Sequence, residues 1–430
     1  MSGLLDEILR AHKHGEQRGI PSICSAHPWV LRSAMRLEGT LLIESTCNQV
    51  NQFGGYTGMT PHDFASYLHG LAAENGFPLE RLLLGGDHLG PSVWQAEPAE
   101  RALQKAQDLI QACVRAGYTK IHLDASMRLG GDDLTRPLGI DTVASRTARM
   151  ARAAERACAD HRTGSELRYV IGSEVPPPGG STGEENTVSV TRVEDARLML
   201  EATRAAFGAQ GLESAWERVI ALVVQPGVEF GTDYVIPYQP ELASGLARFA
   251  ESTPFVYEAH STDYQTAGSL QELVRDHFAI LKVGPALTFA FREAVFALAM
   301  LESELVLPQR RSHLIERLDG AMQRQPAYWI SHYRGTEQEK ALARKYSLSD
   351  RVRYYWAQPE VQAALDTLLR NLGSNPIPFS LLSQYLPRHY DLIREGRLAN
   401  SVPEILVESI QAVLRVYTRA CQPSPTLAVP

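Results

Sequence analysis

Residues 99–126 read AERALQKAQDLIQACVRAGYTKIHLDAS. Apolar positions recur at helical spacing through Ala99–Arg115, Ala116-Gly117 closes the pattern, and a short apolar run, Lys120–Asp124, follows at once. This is a helix ended by a glycine turn and delivered straight into a strand. The same unit repeats outward in both directions. Further strands are expected at Ile20–Ala26, Thr40–Ser45, Arg81–Gly85, Leu167–Gly172, Val219–Val224, Phe255–Glu258 and Ala279–Val283. Each is followed by a polar or glycine-bearing turn and a helical pattern. Short, nearly continuous apolar strands alternating with helices specify a parallel sheet buried on both faces. Eight such units point to an α/β chain closed as a (β/α)8 TIM barrel. An open doubly wound sheet is the competing reading, but no GxGxxG follows the first strand.

The 430 residues exceed the roughly 250 that a barrel uses. The expected division is a barrel over 1–300 and a helical C-terminal extension, packed on it, over 301–430. In that extension Leu301–Gln323, Glu337–Lys345, Asp350–Trp356, Pro359–Asn371 and Pro403–Cys421 read as helices, broken at Asn371–Pro378 and Leu386–Pro387. With 44% hydrophobic and 21% charged residues the chain can bury a large core. A net charge of −7 without a basic run argues against nucleic acid, and no apolar stretch suits a membrane span. The first helix lacks a signal-peptide pattern, and the five cysteines are odd in number with no CxxC. A cytoplasmic protein is expected.

In such a barrel the chemistry sits at the C-terminal strand ends. The polar residues there are His27 after strand one, Glu44 and Asn48 after strand two, and Asp87-His88 after strand three. Asp124 follows on strand four, Glu174 after strand five and Gln225 after strand six, then Glu258, His260, Ser261 and Thr262 around the end of strand seven, and Lys282 on strand eight. Polar groups gathered at one end of apolar strands are costly unless paired, hydrated or bound to something. His88, His260 and Glu174 could converge near the barrel axis. Imidazole plus carboxylate suits Zn²⁺ or a similar divalent ion such as Mn²⁺, Ni²⁺ or Co²⁺. Asp87 beside it could move a proton to and from a substrate hydroxyl. Lys282 reads as a phosphate contact, a Schiff-base lysine or a salt-bridged lysine. Gly284-Pro285 and Thr288 stand where barrels commonly hold phosphate, and the glycine-rich loop over 172–186 could cover a ligand.

Several motifs, in order, resemble the class II ketose-bisphosphate aldolases. They are LLIESTCNQVNQFGGYTG, GGDHLGP, ACVRAGYTKIHLDAS and IGSEVPPPGGSTGEENTVSVTRVEDA. Within that superfamily the chain is most similar to the Z-type subunit family of tagatose-bisphosphate aldolase. The resemblance implies Asp87 as the proton-transferring aspartate, His88 and His260 as metal histidines, and Glu174 near or on the metal. It also places Ser261 and Thr262 in the stretch that contacts phosphate. Glu44, Asp124, Gln225 and Lys282, at the strand ends, are expected as further substrate contacts. Where catalytic members carry a histidine followed by glycine, this chain has Gln225-Pro226-Gly227. An amide oxygen is a weaker ligand for zinc, so the resemblance implies a metal site weakened, altered or lost.

Two functions follow. One is a subunit that supports a separate class II aldolase catalytic subunit in an oligomer acting on a sugar phosphate. The other is a stand-alone metal-dependent aldolase or 4-epimerase working by retro-aldol chemistry. A sugar-phosphate kinase is excluded, because no GxxxxGK[ST] or other glycine-rich nucleotide loop is present.

Overall fold

The computed structural model describes residues 2–133, 135, 138–161, 166–172 and 188–422. All eight expected barrel strands form: β1 (Ile20–Ile23), β2 (Leu41–Thr46), β3 (Leu82–Leu89), β4 (Lys120–Leu123), β5 (Arg168–Gly172), β6 (Val219–Val223), β7 (Val256–Ala259) and β8 (Ile280–Val283). Neighbours pair in parallel and in sequence order, and β8 returns to β1, with Ile20 opposite Ile280 and Ser22 opposite Lys282. The sheet is therefore closed, as the sequence led one to expect.

Side chains alternate across each strand, and the two parities have different chemistry. Ile43, Leu84, Ile121, Leu123, Ile171, Leu222, Leu281 and their like pack outward into the layer shared with the helices. Ile20, Leu42, Leu83, Val170, Val256 and Ile280, near the strand starts, pack inward with Leu5, Ile8 and Leu9 of helix Ser2–Lys13. That helix closes the N-terminal end of the barrel with apolar side chains. Two residues further along the same inward parity stand Ser22, Glu44, Gly85, Lys120, Glu258 and Lys282, and beyond them Asp87 and His122. The interior thus changes from oil to charge along its axis.

Two glycines on β3 and its exit make room for that layer. A Cβ on Gly85 would lie 2.8 Å from Glu44 Cγ, and one on Gly90 would lie 1.8 Å from the Asp124 carbonyl oxygen. The second obstacle is backbone and cannot swing aside. Gly90→Ala is expected to destabilise by about 3 kcal/mol or more through overpacking, read as a lowered midpoint in urea.

The segment after β8 departs from its expected boundaries. Leu301–Gln323 is split, because helix Pro285–Leu305 ends before Pro308 and a new helix runs over Leu314–Arg324. Pro308 lacks the N–H and clashes with the preceding turn. Asp350–Trp356 is only a 3₁₀ turn, Arg351–Tyr354, entered through Asp350 at φ 45°. An antiparallel pair, Glu229–Phe230 with Val235–Ile236, also forms in the loop after β6. The last helix, Val402–Ala420, returns to the barrel. Cys421 O accepts from Gly19 N–H just before β1, and the Tyr417 hydroxyl donates to Thr262 O at 2.6 Å. Among the described residues no helix is long and apolar enough to cross a membrane.

Candidate functional site

β3 carries the local irregularity that organises the site. Its pairing with β4 shifts register between Gly86 and Leu89, and His88 adopts φ 45°. A regular strand would send Asp87 and His88 to opposite faces; a bulge turns consecutive side chains toward one end. The left-handed backbone at a non-glycine residue costs roughly 1–2 kcal/mol. Tertiary contacts hold it there: His88 Nδ1 lies 2.9 Å from Asp124 Oδ2, and its backbone N–H donates to His122 Nδ1 at 3.2 Å.

Below this bulge the barrel axis holds an ion network. Lys282 Nζ lies 2.7 Å from Glu44 Oε2, 2.8 Å from Asp87 Oδ1 and 3.2 Å from Glu258 Oε1. Lys120 Nζ is 2.7 Å from Glu44 Oε1 and 2.6 Å from Glu258 Oε2, close charge contacts that are poorly directed as hydrogen bonds. Ser22 donates to Glu44 Oε1 at 2.6 Å. Burial opposes the charge on Lys282, but Asp87, Glu258 and Glu44 outweigh it and keep its ammonium protonated well above the usual range. A Schiff base needs the neutral amine, so this lysine serves as a fixed cation. The four carboxylates of Glu44, Asp87, Asp124 and Glu258 face two lysines, leaving an excess of two buried negative charges. A protonated His88 removes one of them: burial lowers its pKa, yet Asp87 and Asp124 raise it above the ordinary value.

Asp87, His122, Glu258 and His260 each present a ligand atom, and these atoms lie within 4.8 Å of one another. His122 Nε2 and Glu258 Oε2 are buried with no directed hydrogen bond. Burial pushes His260 down to about 3, so its imidazole is neutral and able to ligate at ordinary pH. Two imidazoles, two carboxylates and surplus negative charge fit a divalent metal, with His122 free to ligate through Nε2 in the tautomer whose Nδ1 donates to Asp87 Oδ1 at 3.2 Å instead of accepting from His88 N–H. The three histidine rings of His88, His122 and His260 are all 4.8–5.2 Å apart, centroid to centroid.

Of the residues singled out from sequence, Glu44, Asp87, His88, Asp124, Glu258, His260 and Lys282 come together here. Glu174 lies outside the described residues, as does most of its glycine-rich loop. The Gln225 side-chain oxygen is engaged locally: it accepts from Gly227 and Val228 N–H at 2.8 and 3.1 Å, capping its own loop. The Thr262 hydroxyl donates to Lys282 O, and Ser261 sits at φ 54°. The phosphate donors expected after β8 are taken. Gly284 and Ala286 N–H donate to Asp263 Oδ1 at 3.0 and 2.8 Å, and Thr288 donates to Asp350 Oδ2 at 2.6 Å. His122 and Lys120 were not singled out, although they share the inward parity of Asp124 and could have been found by it.

Asp263 also carries a pH signature. Burial raises its carboxyl to about 6 against the opposing pull of Ala286 and Gly284 N–H. A folded pKa above the unfolded one means its contribution is intact below about 4 and is lost as pH rises through about 6. Asp263→Asn keeps the acceptor and removes the charge. It should gain on the order of 3 kcal/mol over the parent at pH 8, with the gain shrinking toward pH 4 in parallel urea titrations.

The model of the family described as D-tagatose-1,6-bisphosphate aldolase subunit GatZ/KbaZ-like matches residues 5–422. The chain belongs to this family. Proteins named D-tagatose-1,6-bisphosphate aldolase subunit GatZ resemble it throughout. The one from Salmonella dublin is 51% identical over 423 residues, covering 97% of this chain and 99% of the relative. That of Klebsiella pneumoniae subsp. pneumoniae is 50% identical over 421 residues, with the same coverage. Among solved structures, a probable tagatose 6 phosphate kinase from Sinorhizobium meliloti 1021 is 44% identical with a TM-score of 0.86, covering 94% of this chain and all of its own. The GatZ/KbaZ-like membership thus rests on nearly every element described above, from the plugging helix to the returning one.

Proposed function

We propose that this chain is a component of a class II tagatose-1,6-bisphosphate aldolase, which cleaves a ketose bisphosphate to two triose phosphates, and that it supports a separate catalytic subunit. The observation that carries this reading is the near end-to-end likeness to proteins named as subunit GatZ. Gln225 agrees with it, since its amide is spent on its own loop.

The barrel centre would hold a divalent metal, zinc before manganese, nickel or cobalt, through Asp87, His122, Glu258 and His260. Such an ion supplies Lewis acidity toward a carbonyl or enediolate oxygen. Lys282 and Lys120 hold Glu44 and Glu258 in place, and Asp124 fixes the ring of His88. Asp87 is the group for moving a proton at a substrate hydroxyl, but it is held well below the ordinary carboxylate range: burial works against this, and Lys282 and His88 overcome it. As a metal ligand and a Lys282 partner Asp87 would not take up a proton, so that role would require both contacts to loosen. A second reading, a stand-alone aldolase or ketose 4-epimerase of the cytoplasm, draws support from how many of these polar groups remain assembled.

The test is turnover of tagatose 1,6-bisphosphate and fructose 6-phosphate by the purified chain, alone and with a class II aldolase subunit. Cleavage that appears or rises severalfold only with the partner supports the subunit reading. Full cleavage or epimerisation without it replaces that reading with the second.

A further inference from the structure

We propose that the Arg351–Tyr354 turn of the C-terminal segment builds a phosphate subsite at the barrel mouth, with Arg353 as its cation. The proposal rests on the sugar-phosphate reading and assigns a part of the site that strand-end residues leave without a donor.

A cavity of about 270 Å³ opens where the exits of β1, β2 and β8 meet this turn. Cys24 and His27 line it from the segment after β1, Thr57 from the β2 loop, Thr288 from the helix after β8, and Arg353 and Trp356 from the C-terminal segment. These are the ends at which barrels of this kind bind their ligands.

Arg353 is held firmly and makes no direct ion pair, although Asp350 and Asp263 act on it from beyond contact distance. Its Nη1 donates to Ser349 O at 2.5 Å and Asp350 O at 3.0 Å, and Nη2 to the Tyr354 hydroxyl at 3.0 Å. Among the described residues no carboxylate lies within 4 Å of it or of Arg351. The two nearby acids are engaged elsewhere, Asp350 with Thr288 and Arg292, and Asp263 with Gly284 and Ala286 N–H. Arg351 stands behind, buried, donating to His332 Nδ1 and sharing the Tyr354 hydroxyl. Its Nε has no partner. On the cavity wall, His27 Nδ1 is shut off from solvent and likewise has no hydrogen-bond partner.

Two guanidiniums in a partly enclosed space without a contacting carboxylate are costly unless an anion completes them. A guanidinium presents a planar fork that matches phosphate oxygens in pairs. The carbonyls that fix Nη1 and the Tyr354 hydroxyl on Nη2 leave Nε and the second Nη2 proton of Arg353 for that role. Burial opposes ionisation of Tyr354, but Arg353 and Arg351 prevail and hold its phenol below the ordinary value, a sign of strong positive potential at this point. A phosphate monoester is the chemistry that fits.

The experiment is calorimetric titration of the full chain with inorganic phosphate, then with fructose 6-phosphate and unphosphorylated fructose. Variants are Arg353→Gln and Arg353→Lys, each checked for an unchanged melting temperature. The expected result is phosphate binding that falls roughly tenfold or more in Arg353→Gln, with part retained in Arg353→Lys, and a matching loss for fructose 6-phosphate but not for fructose. If Arg353→Gln is unstable, Arg353→Lys with His27→Leu carries the comparison, and both must weaken phosphate. No phosphate binding by the parent chain, or equal binding in every variant, overturns the proposal. Because metal content and aldol cleavage are not read here, the aldolase reading can fail while the subsite stands, or the reverse.

Discussion

Lys120→Met is expected to destabilise the chain by roughly 3–5 kcal/mol. Lys120, Glu44 and Glu258 are 1%, 0% and 0% exposed, so no water can take over the role of the lost ammonium. Removing it leaves two carboxylates facing each other across the axis with only Lys282 between them. Methionine preserves most of the volume, which separates the charge effect from a cavity effect. Urea unfolding of parent and variant measures the difference. A loss below about 1 kcal/mol would mean that the network is hydrated or rearranges, contrary to the packing described. A double variant that also converts Glu258 to glutamine should recover part of the loss, since it removes one of the stranded charges.

The second large effect concerns His122. Divalent metal at 100 times its dissociation constant is expected to stabilise the parent chain by about 2.7 kcal/mol, and His122→Ala should abolish that gain. Losing a direct ligand costs more than the roughly 10–100-fold in metal affinity that loss of an outer partner costs. His122 is a sharper probe than His88, whose Nδ1 is committed to Asp124 and whose role lies in shaping the bulge. Thermal melts with and without zinc read the outcome. A metal-dependent shift that survives in His122→Ala would remove this residue from the centre.

The barrel was legible because each strand announces itself as a short apolar run between turn signals, and the closing pair of β8 with β1 follows from the count of units. The ligand group was legible only in part. Asp87 and His260 stand out at strand exits, where polar residues are costly. Lys120 and His122 sit inside a run that reads as apolar strand, KIHLD, and only the inward parity they share with Asp124 marks them. Gln225 looked like a weakened ligand because its position along the chain suggests one; its side chain instead satisfies two backbone N–H groups, which distance along the sequence cannot show. The same limit applies to Arg353. Its place at the mouth depends on a chain reversal of some seventy residues after β8, and the turn that carries it reads as ordinary helix.

The most direct test is anomalous diffraction at the zinc edge from crystals grown with zinc. The expected result is one peak on the barrel axis within bonding distance, about 2.0–2.2 Å, of Asp87, His122, Glu258 and His260. A peak ligated without His122 and Glu258, or no ordered metal on the axis, would contradict the assignment of that centre.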